Sequence, residues 1–486
     1  MSTLNRRHFL KSSLAAGAFV ATGCSQNSRT QTLGPIQPPR RGPNEEIRLA
    51  CIGFRGQGQN HINIYAGLKD VAVAMLCDTD KAVWDKGFEL LAKANRPAPP
   101  CVQDLREVYD NKEIDAVSIA TPNHWHALAT IWAMQAGKHV YVEKPAGHNV
   151  SESRRMVEAA RKYNRICQVG TQCRSLKGAI DAMDYIKNGK IGKLHTARGL
   201  CYKRRDTIGL SDHPAHVPDS LNYELWIGPA PMQLPHRKNV HYDWHWFWDY
   251  GNGDIGNQGP HQMDVARWGM GKQTLPHSVI SFGGRFGYKD DGETPNTQVA
   301  FFDYGDMQLI FEVRGLPTPK YRGASVGNIF YGTEGTVVMT AYHAGAAFDN
   351  NGNKVKEFDG FDVAAHFKNF IHACRTGRFT DLHTDILEGH LSSSLCHLSN
   401  VSYRLGEEVP FNQQTKAFGD DKEAYETFAR TMDHLKENNV PMDGQTYRLG
   451  RRLTIKPGTE TFENDPQADA LLTRTYREPF VVPERI

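Results

Sequence analysis

The 486-residue chain carries 57 Lys and Arg against 54 Asp and Glu, a formal net charge of +3 with the basic residues dispersed. That balance leaves no basic face for nucleic acid. No apolar stretch approaches the roughly 20 residues that a membrane-spanning helix needs, and the ~440 residues beyond the leader exceed one ordinary domain, so two are expected.

Asn5 to Cys24 reads as an export signal. Arg6 and Arg7, then Phe9, Leu10, Lys11 and a short apolar run, form a twin-arginine address, the route of already folded proteins. The twin-arginine translocation machinery is therefore an expected partner, and the expected location is periplasmic, free or membrane-anchored. Cys24 after Ala21-Thr22-Gly23 resembles a lipoprotein box that would put a lipid anchor on Cys24; ordinary cleavage nearby is the alternative. Residues 25–45, rich in Ser, Gln, Pro and Arg, follow the 1–24 signal as a tether. A chain folded before export folds with reduced thiols, so no essential disulfide is expected among its nine cysteines. Cys51, Cys77 and Cys167 sit in apolar strand-like runs, where cysteine behaves as a small hydrophobe.

Ile47 to Ile52 is a short apolar run ending in Gly53-Phe54-Arg55-Gly56-Gln57-Gly58, followed by a helix-length segment and a second run, Val71 to Cys77, that ends at Asp78. Strand, glycine turn, helix, strand, acid is the context of a dinucleotide fingerprint. Gly53 permits the turn, the helix N-terminus at Gly56 and Gly58 offers N–H groups to a pyrophosphate, and Asp78 is placed for the ribose hydroxyls. Arg55 stands where the second fingerprint glycine belongs and either pairs with phosphate or points to solvent. Asp78 repels a 2′-phosphate and favours NAD, while Lys81 keeps NADP in play.

Later segments repeat the pattern. Ile114 to Ala120 ends at Thr121-Pro122-Asn123-His124, His139 to Val142 ends at Glu143-Lys144-Pro145, and Ile166 to Val169 ends at Gly170-Thr171-Gln172, with helices predicted between them. The fold class is α/β: residues 46–170 form a Rossmann doubly wound parallel sheet with ligand-binding residues Asp78, Thr121, Asn123, His124, Glu143, Lys144 and Gln172 near its carboxyl edge.

Glu143-Lys144-Pro145, Thr121-Pro122-Asn123-His124, Gly170-Thr171-Gln172 and Gly256-Asn257-Gln258-Gly259-Pro260-His261-Gln262-Met263-Asp264 together resemble the glucose–fructose oxidoreductase / inositol dehydrogenase (Gfo/Idh/MocA) family over about residues 46 to 405. The resemblance implies a second domain, 171–405, with a mostly antiparallel open sheet, helices on one face, and a homo-oligomer built on that sheet. It also implies that Lys144 lies beside the nicotinamide and hydrogen-bonds the reacting hydroxyl, while His261 is the acid or base. Asn257 stands where the family places an aspartate, so Asp254 or Asp264 is left to support the imidazole.

His241 to Tyr250 is the most aromatic stretch of the chain. Trp244 and His245 suit a carbohydrate cleft, since aromatic faces stack on sugar rings; a core segment packing the two domains is the other reading. His241 and His245 share i, i+4 spacing, yet no Cys or Glu ligand set accompanies them, so no metal is expected. Gln172, Arg174, Lys203, Arg204 and Arg205 are polar candidates for the cleft, or members of a solvated loop. Helices are predicted at about Ala364 to Arg375, Ile386 to Arg404 and Lys422 to Glu437, with a strand pair Gln298 to Phe302 and Met307 to Val313 in hairpin order. Residues 406–486 read as an extension that wraps the protein or meets another copy.

The expected function is an exported NAD-dependent oxidoreductase acting on a secondary hydroxyl of a sugar, glycoside or cyclitol. The first alternative is a redox-neutral, NAD-dependent glycoside hydrolase. The second is a noncatalytic sugar-binding lipoprotein.

Overall fold

The computed structural model describes residues 45–211, 216–413 and 415–486; the export signal and Cys24 lie outside the described residues. Six short apolar runs pair in parallel: β1 (Ile47–Ile52), β2 (Val71–Cys77), β3 (Cys101–Val102), β4 (Ala116–Ile119), β5 (His139–Val142) and β6 (Cys167–Val169), in the order β3-β2-β1-β4-β5-β6. Alternation along β1 explains its burial on both sides. Leu49 and Cys51 join the core against the Gly56–Gly67 and Ala365–Thr376 helices, while Ala50 and Ile52 join the core against the Asn123–Gln135 and Val150–Lys162 helices. The order reverses between β1 and β4, and a crevice opens at such a switch point outside the strand ends.

The second sheet is mixed and eleven-stranded, made of β7 (Leu194–Tyr202), β8 (Ser278–Gly284), β9 (Thr297–Asp303), β10 (Gln308–Arg314), β11 (Val326–Gly332), β12 (Gly335–Met339), β13 (Gly345–Asp349), β14 (Lys354–Phe358), β15 (Glu407–Pro410), β16 (Thr446–Leu449) and β17 (Leu453–Thr454). β9 and β10 form the expected antiparallel pair, and β7 runs parallel to β10 in the middle of an otherwise antiparallel sheet. The Gly259–Met270 and Ile386–Arg404 helices cover one face through Met263, Ala266, Leu395 and Leu398. Helices are not confined to that face. Lys422–Glu437 covers part of the other through Ala424, Met432 and Leu435, and its Arg430 reaches the buried Arg198–Glu312 ion pair.

The chain beyond Gly406 is therefore built into this domain, because β15 and β16 extend the sheet beside β8. Its final stretch wraps back onto the first domain. Phe480 and Val482 are 2% and 3% exposed and join the core around Trp125 and Leu128. Each such side chain contributes roughly 1.5–3 kcal/mol on burial.

Candidate active site

One cavity of about 790 Å³ follows the carboxyl edge of the parallel sheet, from Asp78, Gln103 and Leu105 past Gly53 and Thr121 to Lys144, Asn257, His261 and Tyr342. That lies within the range of small-molecule pockets. At its first end the wall is main chain. Gly53 has φ +75°, and an added Cβ would stand 3.0 Å from the Ala120 carbonyl and the Thr121 nitrogen. A Cβ on Gly58 would stand 2.0 Å from the Gly53 oxygen, which seats the helix on the turn. The Gly56–Gly67 helix begins there with no side-chain cap and no acidic residue in its first turn, so its free N–H groups remain for an anion.

The Asp78 carboxylate accepts from the Phe54 and Asp80 amides, each at 2.9 Å. Burial pushes its pKa up to about 6 against those hydrogen bonds. Thr121 lines the cavity, and its Oγ1 is buried without a hydrogen-bond partner among the described residues. A cradle closed to added volume, uncapped amides, an acid at the end of β2 and an orphaned hydroxyl fit a dinucleotide.

At the other end the wall is side chains. Glu143 takes hydrogen bonds from His61 Nε2 (3.1 Å) and Gln172 Nε2 (3.0 Å). Burial alone would raise its pKa; the His61 hydrogen bond and the nearby His61 and Lys144 charges outweigh it and hold the carboxyl down at about 2. Gly170 makes room for it, since a Cβ there would meet the Glu143 carboxyl at 2.7–2.9 Å. Lys144 Nζ donates to Asn257 O at 2.7 Å and to Asn257 Oδ1 at 3.2 Å. Burial lowers the Lys144 pKa, Glu143 opposes it, and the charges of Lys203 and Arg205 lower it further.

Asn257 ends a short helix, Gly253–Asn257, that leads into Gly259–Met270 with Pro260 at its start, and this presents His261 to the cavity. His261 Nδ1 is buried without a partner among the described residues. Burial, aided by the Lys144 charge, holds its pKa to about 3, so the ring is a neutral imidazole at physiological pH. The Tyr342 ring lies 5.1 Å from it, and the Tyr342 hydroxyl accepts from Gln258 Nε2 at 2.5 Å. Burial pushes the phenol up, so it keeps a proton to donate.

The aromatic stretch divides between cavity wall and core. Trp244 and His245 line the cavity with their rings stacked 3.7 Å apart, whereas Phe247 and Tyr250 are buried in a satellite core with Trp226. Of the residues read from sequence, Gly53, Arg55, Gly56, Asp78, Thr121, Asn123, Glu143, Lys144, Gln172, Trp244, His245, Asn257 and His261 share the cavity. Gly58 acts by packing.

Three expectations are corrected. His124 turns away, its Nε2 3.0 Å from the Trp226 oxygen and its ring against Tyr250. Arg174 and Asp264 pair with one another in the interior at 2.8 Å, joined by Glu388, Ser392 and Arg267, and neither lines the cavity. Asp264 therefore acts on the His261 imidazole only through its charge, with no hydrogen bond between them among the described residues, and Asp254 is held by Arg205. Arg55 lines the cavity with its side chain 40% exposed and one guanidinium nitrogen on Asp80. The sequence reading missed His61, Gln258 and Tyr342. Tyr342 follows β12, and nothing local marks it.

The family described as "Oxidoreductase family, NAD-binding Rossmann fold" (Gfo/Idh/MocA) matches residues 47–171, and its "C-terminal alpha/beta domain" matches residues 193–437. A twin-arginine translocation signal matches residues 3–23. Among curated proteins the chain is similar to a glycosyl hydrolase family 109 protein of Shewanella sp. (strain ANA-3), 31% identical over 228 residues, covering 44% of this chain and 49% of that protein. It is also similar to an alpha-N-acetylgalactosaminidase of Shewanella oneidensis, 29% identical over 208 residues, covering 40% and 45%. The chain spans about half the length of the curated relatives it matches. In fold it resembles the WlbA dehydrogenase of Bordetella pertussis, solved with NADH and UDP-GlcNAcA, at 21% identity and TM-score 0.54, covering 74% of this chain and 97% of that one. A levoglucosan dehydrogenase solved with NADH gives 17% identity and TM-score 0.55, covering 73% and 97%.

Proposed function

The chain belongs to the Gfo/Idh/MocA oxidoreductase family, and from that premise we propose that it is an exported enzyme acting on a secondary hydroxyl of a sugar, glycoside or cyclitol. The observation that carries this reading is the convergence of Lys144 and His261 on the cavity that begins at the Gly53 turn. A nicotinamide bound there supplies a hydride acceptor and donor. Lys144 Nζ, fixed by Asn257, donates to the substrate oxygen and stabilises negative charge as it develops. The neutral His261 ring accepts the hydroxyl proton as the carbon loses hydride, and returns it in the reverse direction. Trp244 stacks on the sugar face. NAD is favoured over NADP: Asp78 lines the cavity, whereas Lys81 does not.

The curated similarities favour a second reading, the redox-neutral hydrolysis of a glycoside. A sugar oxidised at C3 has an acidic C2 proton. Loss of that proton expels the C1 substituent, water adds at C1, and hydride returns to C3, so the net reaction is hydrolysis. A chromogenic glycoside separates the two. Released aglycone without net absorbance change at 340 nm makes the enzyme a hydrolase, and a keto-sugar with rising absorbance makes it a dehydrogenase. Neither product from any glycoside or free sugar, with nucleotide present, overturns both.

The twin-arginine signal sends the protein out folded, where reduced nicotinamide has no ready supply of oxidant. That supports a cofactor kept through many turnovers. The Ala21-Thr22-Gly23-Cys24 sequence supports a lipid anchor on the periplasmic side, tested by fatty-acid labelling of Cys24→Ala against the parent. Light scattering of the purified protein tests the homo-oligomer.

A further inference from the structure

The segment between β7 and the Gly259–Met270 helix leaves the second domain and crosses to the first. Its backbone pairs with the end of β2: Lys81 N donates to Ser220 O at 3.0 Å, and Asn222 N donates to Thr79 O at 2.9 Å. Further along it is held again, where the Trp125 indole N–H reaches the Trp226 oxygen at 3.0 Å. Between and beyond these attachments, Leu225, Trp226, His241, Tyr242, Trp244 and His245 supply one wall of the nucleotide cavity. The glycine turn supplies the facing wall.

One carboxylate joins the two walls. Asp80, 2% exposed, takes the Arg55 guanidinium from the glycine turn on the same oxygen that lies 2.9 Å from His241 Nε2. The side chain that replaces a fingerprint glycine is thus held by Asp80 of the first domain, the carboxylate that His241 of the crossing segment also meets. The late part of the chain then lies over that segment. Arg477 donates to Pro229 O and Gly228 O, at 3.2 and 3.0 Å, and Phe480 packs 5.5 Å from Trp125.

We propose that residues 219–248 form a strap that encloses the dinucleotide, latched by Arg55, Asp80 and His241 and clamped from outside by residues 474–482. This rests on the cavity being a nicotinamide dinucleotide site. A ligand with protein on both flanks leaves only when the strap lifts, and lifting breaks the Asp80 contacts and the tail contacts together. Release is slow for that reason, and loading precedes closure.

The test is the rate at which bound NADH leaves the full-length mature protein, followed by loss of its fluorescence on dilution into excess NAD. The parent is expected to release it slowly. His241→Ala and Phe480→Ala are each expected to release it at least tenfold faster, with far-ultraviolet circular dichroism unchanged. Asp80→Asn, which keeps the side-chain shape, serves if either variant folds poorly. Equal release rates in the parent and in the folded variants overturn the latch and leave the cofactor site standing. Release from the parent as fast as mixing overturns the strap as well. A parent that neither carries nor takes up NADH removes the cofactor reading itself.

Discussion

At its nucleotide end the cavity rests on main chain at the glycine turn, whereas at its other end side chains from distant stretches of sequence meet around one lysine. Gly53 and Gly58 act by what they lack: a Cβ on Gly58 collides with the Gly53 oxygen, and one on Gly53 sits tightly at 3.0 Å on a left-handed backbone. Lys144, Asn257 and His261 act by the groups they carry, aligned through two hydrogen bonds from Lys144 to Asn257. The first end tolerates changes of charge better than added volume. The second is expected to tolerate neither loss of a donor nor loss of an acceptor.

Substitutions at each end sharpen that contrast. Lys144→Ala is expected to lower kcat about 10³-fold, the upper range for removing one charge-stabilising donor, with nucleotide content unchanged. Turnover measured beside 340 nm absorbance checks both halves of the statement. His261→Asn removes the proton acceptor and is expected to lower kcat about 10²-fold. Gly53→Ala should show the opposite signature. A left-handed φ costs a non-glycine residue about 1–2 kcal/mol, and a turn that relaxes to shed it must be restored on binding, so nucleotide affinity should weaken about tenfold, while kcat at saturating nucleotide stays near that of the parent.

Arg174→Met tests a residue taken out of the cavity. Breaking its buried pair with Asp264 should destabilise the fold by about 3 kcal/mol, read in denaturant, with kcat of the folded fraction unchanged. A large fall in kcat at intact stability would return Arg174 to the site.

A smaller effect comes from pH. Burial holds His124, His139, His245, His261 and His397 to about 3. Between about pH 6.5 and 3 the unfolded chain therefore binds more protons at these sites, and stability falls as pH falls. Asp78 and Glu152, raised by burial to about 6 and about 7, act in the opposite sense but are fewer. The melting temperature should drop from pH 6.5 to pH 4. A flat or rising melting temperature would mean that these rings are not buried as neutral imidazoles.

The nucleotide end was legible in sequence because its signals are local. A glycine turn bounded by apolar runs needs no distant partner, and the Ile386–Arg404 and Lys422–Glu437 helices carry their own periodicity and Asp caps. The reaction end was legible only where short motifs survive, at Lys144 and His261. Spacing alone placed Asp264 beside His261; Arg174, arriving from 90 residues earlier, decides where that carboxylate goes. Similarly, His61 became the partner of Glu143 through 82 residues of intervening chain, and no pattern in either stretch announces the pair.

The aromatic seam between Phe480 and the pair Trp125 and Trp132 orders events at the ribosome. Those tryptophans emerge early, within the domain translated first; Trp226 and Gly228 reach Trp125 next, and Phe480 closes the seam only when residues 474–482 have been translated. The domain begun first is therefore finished late, its core closed by residues from the far end of the chain.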